Sequence, residues 1–146
     1  MKVTTKGRYG LRILLDVALN QGQGPVALSD ISRRQGISRK YLWQVIHPLK
    51  AAGLLHATRG ARGGYTLTRS PAVISLWDVV TILEGPVSVT DCVEAPESCP
   101  RSSDCLTRTA WAEVDVKLAR AFKSITLQSL VRKHQEGRSD ASDYSI

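Results

Sequence analysis

Apolar residues recur every three to four positions along much of the chain, which is the spacing of helices with one buried face. A glycine follows three of these stretches at the point where a helix is expected to end. The longest stretch lies in the C-terminal third and carries Leu106, Ala110, Val114, Leu118 and Ala121 on one stripe. The pattern predicts helices over 7–20, 28–35, 38–53, 75–84, 106–124 and 126–134.

Two short stretches of strand-like composition, 54–58 and 65–68, flank the glycine-rich turn RGARGG, so we expect a β-hairpin there. Before it, Gly36 and Ser38 separate two predicted helices, which is the spacing of a helix-turn-helix. The predicted fold class is therefore mainly α with a small β wing. It is a winged helix-turn-helix followed by a long C-terminal helix, whose apolar stripe is expected to form a dimer interface.

The length of 146 residues suits one compact domain with an appendage. We expect a winged helix-turn-helix DNA-binding domain over 1–84 and a cysteine-bearing loop over 85–105. The dimerisation helix and a short last helix should occupy 106–135. Residues 136–146 are polar, and we expect them to form a disordered tail.

The charge of the chain is divided between its two halves. Residues 1–69 hold twelve basic side chains against two acidic ones, whereas the remaining residues carry a net charge of −3. Such asymmetry favours one face that binds a polyanion. No apolar run is long enough to cross a bilayer, and no apolar segment with a cleavage site follows the basic start. We therefore expect a cytoplasmic protein that has no membrane partner.

The helix that begins near Ser38 would enter the major groove of double-stranded DNA by its N-terminal turn. Gln44 can pair with adenine there, and Arg39 or Lys40 with guanine or a phosphate. The arginines of the hairpin turn are placed to enter a minor groove or to contact phosphates. A helical protein–protein module is the alternative. The predicted DNA-binding residues are Lys6, Tyr9, Ser38, Arg39, Lys40, Tyr41, Gln44, Arg59 and Arg62.

Three cysteines, Cys92, Cys99 and Cys105, lie in or next to the predicted loop. An odd number does not suit a disulfide framework, and cytosolic proteins rarely keep disulfides. Thiolates on a loop are common ligands of metals and iron–sulfur clusters. The wide spacing has no C-x-x-C pair and favours an iron–sulfur cluster over zinc, but zinc and free thiols stay open as alternatives.

Five motifs, together with the cysteines, span most of residues 1–135 and resemble one family. They read KGRYGLR at 6–12, LLDVAL at 14–19, LSDISRRQGIS at 28–38, LKAAGLLHATRGARGGYTL at 49–67 and SITLQSLV at 124–131. The chain resembles the Rrf2 family of bacterial transcription regulators. This resemblance implies a homodimer with antiparallel long helices, a palindromic operator, and a 2Fe–2S or 4Fe–4S cluster on the three cysteines.

Three positions depart from the patterns of this family. Arg108 stands where some members have a histidine ligand, and Arg8 where others supply an acidic ligand from the partner chain. Because a guanidinium stays protonated, neither arginine can ligate iron, and the fourth ligand stays unassigned. Trp43 replaces an acidic residue of the recognition helix, so the operator preference linked to that acid is not expected here.

Together these features predict a sequence-specific DNA-binding regulator, and we expect a repressor. A cluster on the cysteines would sense iron–sulfur status, oxygen, nitric oxide or redox state. The alternative is a regulator of the same fold that binds zinc or senses redox directly through its thiols. An enzyme is not expected, because no cysteine lies near a histidine base in the sequence.

Overall fold

The computed structural model describes residues 1–143, and its elements match the fold class predicted from the sequence. No helix among these residues is both long and apolar enough to span a bilayer. The helices are α1 (Thr5–Asn20), α2 (Leu28–Gln35), α3 (Arg39–Ala51), α4 (Leu76–Glu84), α5 (Asp91–Glu94), α6 (Leu106–Ser124) and α7 (Leu127–Asp143), and the strands are β1 (Leu55–Thr58) and β2 (Gly64–Leu67).

Local capping interactions set several helix ends where the sequence predicts them. Gly36 ends α2 in the left-handed conformation, with φ of 64°. The Ser38 hydroxyl then accepts a hydrogen bond from the backbone N–H of Tyr41 at 3.2 Å and caps α3. Helix α2 begins at Leu28 without a side-chain cap, because the Ala27 carbonyl accepts the amides of Asp30 and Ile31.

The core of the N-terminal half forms where α1, α2 and α3 meet the hairpin. The buried residues of α3 lie three or four positions apart, so one face of this helix packs inward and the opposite face meets solvent. Leu54 and Leu55 close the core from the hairpin side. The fully buried side chains contributed by the three helices include Ile13, Leu14, Val17, Ile31, Leu42, Val45 and Leu49.

A buried ion pair ties α1 to α2. Asp16 is only 3% exposed and accepts hydrogen bonds from Nε and Nη2 of Arg34 at 3.0 and 2.7 Å. A third bond comes from Gln35 Nε2 at 2.8 Å, and the Gln35 carbonyl accepts one from Arg12 at 2.6 Å. The hydrogen bonds to Asp16 raise the pKa of Arg34, so the pair stays charged. Because Gln35 precedes the turn, these bonds fix where α3 starts.

Helices α1 and α4 approach closely at Gly7 and Gly10. A side chain at Gly10 would collide with Leu83, and one at Gly7 with Glu84. The Glu84 carboxylate accepts hydrogen bonds from the backbone N–H groups of Thr4 and Gly7, both at 3.0 Å. Its negative charge therefore caps the positive end of α1 and joins the two halves of the chain.

The C-terminal helices are joined to the rest through a short backbone bridge. Leu76 N–H donates to the Ile125 carbonyl at 2.8 Å, and Leu127 N–H to the Ile74 carbonyl at 2.9 Å. Helix α7 continues to Asp143. The prediction of a disordered tail over 136–146 is therefore wrong for residues 136–143. Polar side chains that cannot form a core can still form an exposed helix. Residues 144–146 lie outside the described part of the chain.

The Asp16–Arg34 pair should dominate the stability of the helix-turn-helix. We expect Arg34→Met to lower the free energy of unfolding by about 3 kcal/mol, because it leaves a buried carboxylate without its cation. Asp16→Asn should cost less, since the Arg34 side chain is 32% exposed and can turn to water. The matched control is Arg33→Met, whose exposed pair with Asp30 should contribute less than about 1 kcal/mol. Urea unfolding measures all three, and equal losses for Arg33→Met and Arg34→Met would contradict this prediction.

Candidate DNA-binding surface and cysteine segment

The outward face of α3 presents most of the predicted base-reading residues. Ser38, Arg39 and Lys40 open this face and are exposed, and Gln44 lies exposed one turn further on. Ser38 also holds the first turn of the helix, because its hydroxyl accepts the Tyr41 amide. The start of α3 is therefore a capped, cationic turn that meets solvent.

Tyr9 and Tyr41 lie in contact rather than on the open surface. Their ring centroids are 5.7 Å apart with an interplanar angle of 88°, an edge-to-face pair between α1 and α3. The guanidinium of Arg12 lies 5.1 Å from the centre of the Tyr9 ring. Both tyrosines are half-buried, as is Lys6, which lies one turn before Tyr9. This contact holds the first turn of α3 against α1.

The wing is a two-stranded antiparallel hairpin with its arginines at the tip. Leu55 pairs with Leu67 and Thr58 with Gly64, so residues 59–63 form the turn. Arg59 and Arg62 are exposed, and within the described chain neither forms an ion pair. The wing is anchored at its base, because Val26 and Tyr65 exchange backbone hydrogen bonds of 2.9 Å in both directions.

The three cysteines lie along one segment without forming a metal site. Cys92 is in α5, Cys99 follows a short helical turn, and Cys105 immediately precedes α6. All three are free, half-buried thiols. Their donor type suits an iron–sulfur cluster, but no three His, Cys, Asp or Glu side chains within residues 1–143 lie close enough to hold a metal ion. Ligation by all three would therefore require the segment to rearrange.

Two side chains of α6 tie the cysteine segment to that helix. Arg108 Nε donates to the Cys92 carbonyl at 2.8 Å. The Asp115 carboxylate accepts hydrogen bonds from the Ser88 hydroxyl and, at 2.9 Å, from the backbone N–H of Val89. Sequence reasoning missed Asp115, because one acidic residue on a long helix gives no signal of a partner 26 residues away.

Cys105 differs from the other two thiols in its local environment. The Thr107 hydroxyl lies 3.1 Å from its sulfur. The hydrogen bond with this hydroxyl lowers the pKa of Cys105, and a weaker contribution in the same direction comes from the Arg108 backbone N–H. A lowered pKa increases the fraction of thiolate at neutral pH, and the thiolate is the form that ligates metals and reacts with oxidants.

The apolar stripe of α6 is uncovered in the single chain. No residue of this helix is buried. Leu106 is 87% exposed and Val114 is 40% exposed, and Ala110 and Ala121 are exposed beside them. The opposite side of the helix packs on α4 and α5, so the stripe faces away from the rest of the chain.

A winged helix with cations along its recognition helix and at its wing tip has the architecture of a DNA-binding regulator. The chain matches the model of the Rrf2 family, described as an iron-dependent transcriptional regulator, over residues 3–133. It therefore belongs to the Rrf2 family of transcriptional regulators, and it is a DNA-binding regulator rather than an enzyme.

Similar proteins agree with this assignment. The protein Rrf2 of Nitratidesulfovibrio vulgaris is 44% identical over 132 residues, which cover 90% of this chain and 88% of that protein. The regulator IscR of Yersinia pseudotuberculosis is 40% identical over 131 residues, covering 90% and 79%. Among solved structures, CymR, the global cysteine regulator of B. subtilis, gives a TM-score of 0.77 at 34% identity, covering 91% and 98%. IscR of T. potens gives 0.75 at 36% identity, covering 94% and 90%.

Proposed function

We propose that this chain is a cytoplasmic, sequence-specific repressor that binds a palindromic operator as a homodimer and responds to a signal through its cysteine segment. The observation that carries the DNA-binding part is the exposed cationic start of α3 beside the exposed arginines of the wing. A helix with this surface fits the major groove, and a wing with arginines at its tip fits an adjacent minor groove.

The predicted contacts divide into two kinds. Gln44 lies exposed on the second turn of α3, where a side-chain amide can bond both N6 and N7 of an adenine. Arg39 and Lys40 can reach guanine or phosphate from the first turn. Arg59 and Arg62 are cations on a short turn and suit phosphates or the narrow minor groove. Lys6 and Tyr9 lie at the edge of this surface and are proposed to contact the backbone.

These two kinds of contact should respond differently to substitution. We expect Gln44→Ala to weaken operator binding by about 10- to 100-fold, the range for one bidentate base contact, and to change binding to scrambled DNA little. Arg59→Ala should weaken binding to both duplexes and lower the salt slope by about one unit. Fluorescence anisotropy over a salt series measures both effects. Gln135→Ala, an exposed change on α7, is the control, and equal losses on both duplexes for Gln44→Ala would contradict base reading.

The homodimer is proposed from the uncovered stripe of α6. Exposed apolar surface along one helix face is costly in water and commonly marks an interface. A two-fold axis through this helix would bury the same stripe from both protomers. It would also set the spacing of the two recognition helices, which a palindromic operator requires.

The stripe can be tested by placing a charge on it. Val114→Glu should shift the chain from dimer to monomer at micromolar concentration, because two carboxylates would meet near the two-fold axis. Val116→Glu is the matched control, since Val116 is exposed on another face of the same helix and should leave the dimer intact. Sedimentation equilibrium gives the mass of each variant. A monomeric wild type, or a dimer that survives Val114→Glu, would remove α6 as the interface.

The signal is proposed to be read by an iron–sulfur cluster on Cys92, Cys99 and Cys105. The support is chemical: three free thiols lie on one segment that ends at the start of α6. The family description is that of an iron-dependent regulator. Such a cluster would supply an oxygen- and redox-sensitive group. The chain's own part is to offer the thiolates and to connect them to α6 through Arg108.

A second candidate, direct thiol sensing, is favoured by the lowered pKa of Cys105. A similar structure, CymR of Staphylococcus aureus, is described in an oxidised form at 34% identity and a TM-score of 0.69. Reversible oxidation of a thiolate needs no metal and would act at the same end of α6.

Chemical analysis of protein isolated without oxygen decides between these candidates. We expect visible absorption with iron and acid-labile sulfide in the wild type, and loss of all three on changing any one cysteine to alanine. The unfolding midpoint should stay nearly unchanged, because none of the thiols is buried in the core. Stoichiometric zinc without sulfide would replace the cluster by a zinc site. Protein with neither metal nor sulfide, whose DNA affinity changes on oxidation of Cys105, would establish thiol sensing instead.

A further inference from the structure

A groove of about 460 Å³ separates the recognition helix from the wing. Trp43 and Lys50 line it from α3, and Thr58, Arg59 and Tyr65 line it from the hairpin. A smaller cleft beside it is lined again by Trp43, Lys50 and Tyr65. The two openings therefore share one wall on the surface between α3 and the wing.

Trp43 forms an aromatic wall of this groove. It is 59% exposed, which is unusual for a large apolar side chain on a cationic surface. Its ring stacks on that of His47 one turn later, with centroids 6.0 Å apart and an interplanar angle of 17°. The stacking favours the orientation in which the indole lines the groove.

The charge of the groove favours an anionic occupant. Lys50 and Arg59 lie on opposite walls and are both exposed. Among the described residues that line the groove, none has a carboxylate side chain. Within residues 1–143 neither cation forms an ion pair, and two such cations facing one groove suit a chain of phosphates.

The position of the groove follows from the proposed mode of DNA binding, on which this inference rests. One sugar–phosphate strand separates the major groove of a duplex from the adjacent minor groove. If α3 occupies the first groove and the wing the second, that strand must pass between them. The groove between α3 and the hairpin is the space available for it.

We propose that this groove holds the sugar–phosphate strand that separates the two DNA grooves. Lys50 binds a phosphate from the α3 side and Arg59 from the wing side, while the Trp43 indole packs on a deoxyribose. Trp43 and Lys50 therefore contribute to affinity for any duplex and carry no sequence information. A base-reading role for Trp43, through a thymine methyl group, is the competing outcome of the test.

The test compares two short duplexes: one selected by the wild-type chain from random sequence, and a scrambled version of it. We expect Trp43→Ala to weaken binding to both by the same factor, about tenfold, as for an apolar anchor in an interface. Lys50→Gln should lower the salt slope by about one unit on both, and Lys50→Arg should restore it. Lys133→Gln, at an exposed position on α7, is the matched control and should leave the slope unchanged.

Methylphosphonate substitution locates the contact. Neutral linkages are scanned along the strand, and one position should weaken the wild type but not Lys50→Gln, because the two changes remove the same interaction. Lack of any such position, or an unchanged salt slope for Lys50→Gln, overturns the phosphate contact. A changed ratio of selected to scrambled affinity for Trp43→Ala overturns the sugar contact and makes Trp43 a base reader. Failure of the wild-type protein to select any duplex from random sequence overturns the proposed function itself, whereas selection of a duplex that the variants bind equally well overturns this inference alone.

Discussion

The burial of the Asp16 carboxylate constrains the whole DNA-binding half of the chain. A charge that is 3% exposed is costly unless a cation and further donors surround it. Arg34 and Gln35 can reach Asp16 only if the last turn of α2 lies against α1. That placement fixes the left-handed turn at Gly36 and the start of α3 behind it. The ion pair therefore sets where the recognition helix begins, and the buried face of α3 and the Tyr9–Tyr41 contact complete its orientation.

This constraint also separates the structural cations from those available to DNA. Residues 1–69 carry a large excess of positive charge, but the excess is not one surface. Arg34 is paired with Asp16, and Arg12 bonds the end of α2 while lying over Tyr9. Among the exposed cations that remain, Arg39 and Lys40 lie at the start of α3, Arg59 and Arg62 at the wing tip, and Lys50 in the groove between them. A polyanion bound there would meet two cationic edges with an aromatic wall between them.

The sequence predicted elements whose signals are local and missed contacts between distant residues. Gly36 and Ser38 mark helix ends through bonds within three or four residues, and the structure confirms both of them. The Glu84 cap of α1 joins residues about 80 positions apart, and no pattern in either segment predicts this contact. The exposed indole of Trp43 was identified as a departure, but its stacking partner and the groove depend on packing. The polar composition of the last residues predicted a disordered tail, but α7 continues to Asp143. Polar side chains prevent a segment from forming a buried core, but they do not prevent it from forming a helix.

The cysteine segment is packed less tightly than the half of the chain that binds DNA. This difference bears on how a signal at the cysteines could reach the DNA-binding half. None of residues 86–105 is buried, so few apolar contacts hold the segment in one conformation, and rearrangement should cost little. Its firmest attachments are the bonds of Arg108 and Asp115, both on α6. A gathering of Cys92 and Cys105 around a common centre that moves the Cys92 backbone would act on the carbonyl that Arg108 holds. Because α6 also carries the proposed dimer stripe, such a change would act first on the relation between two protomers. The buried Asp16–Arg34 pair would keep α3 in place within each protomer. Operator affinity would then change through the distance between the two recognition helices rather than through the base-reading residues of α3.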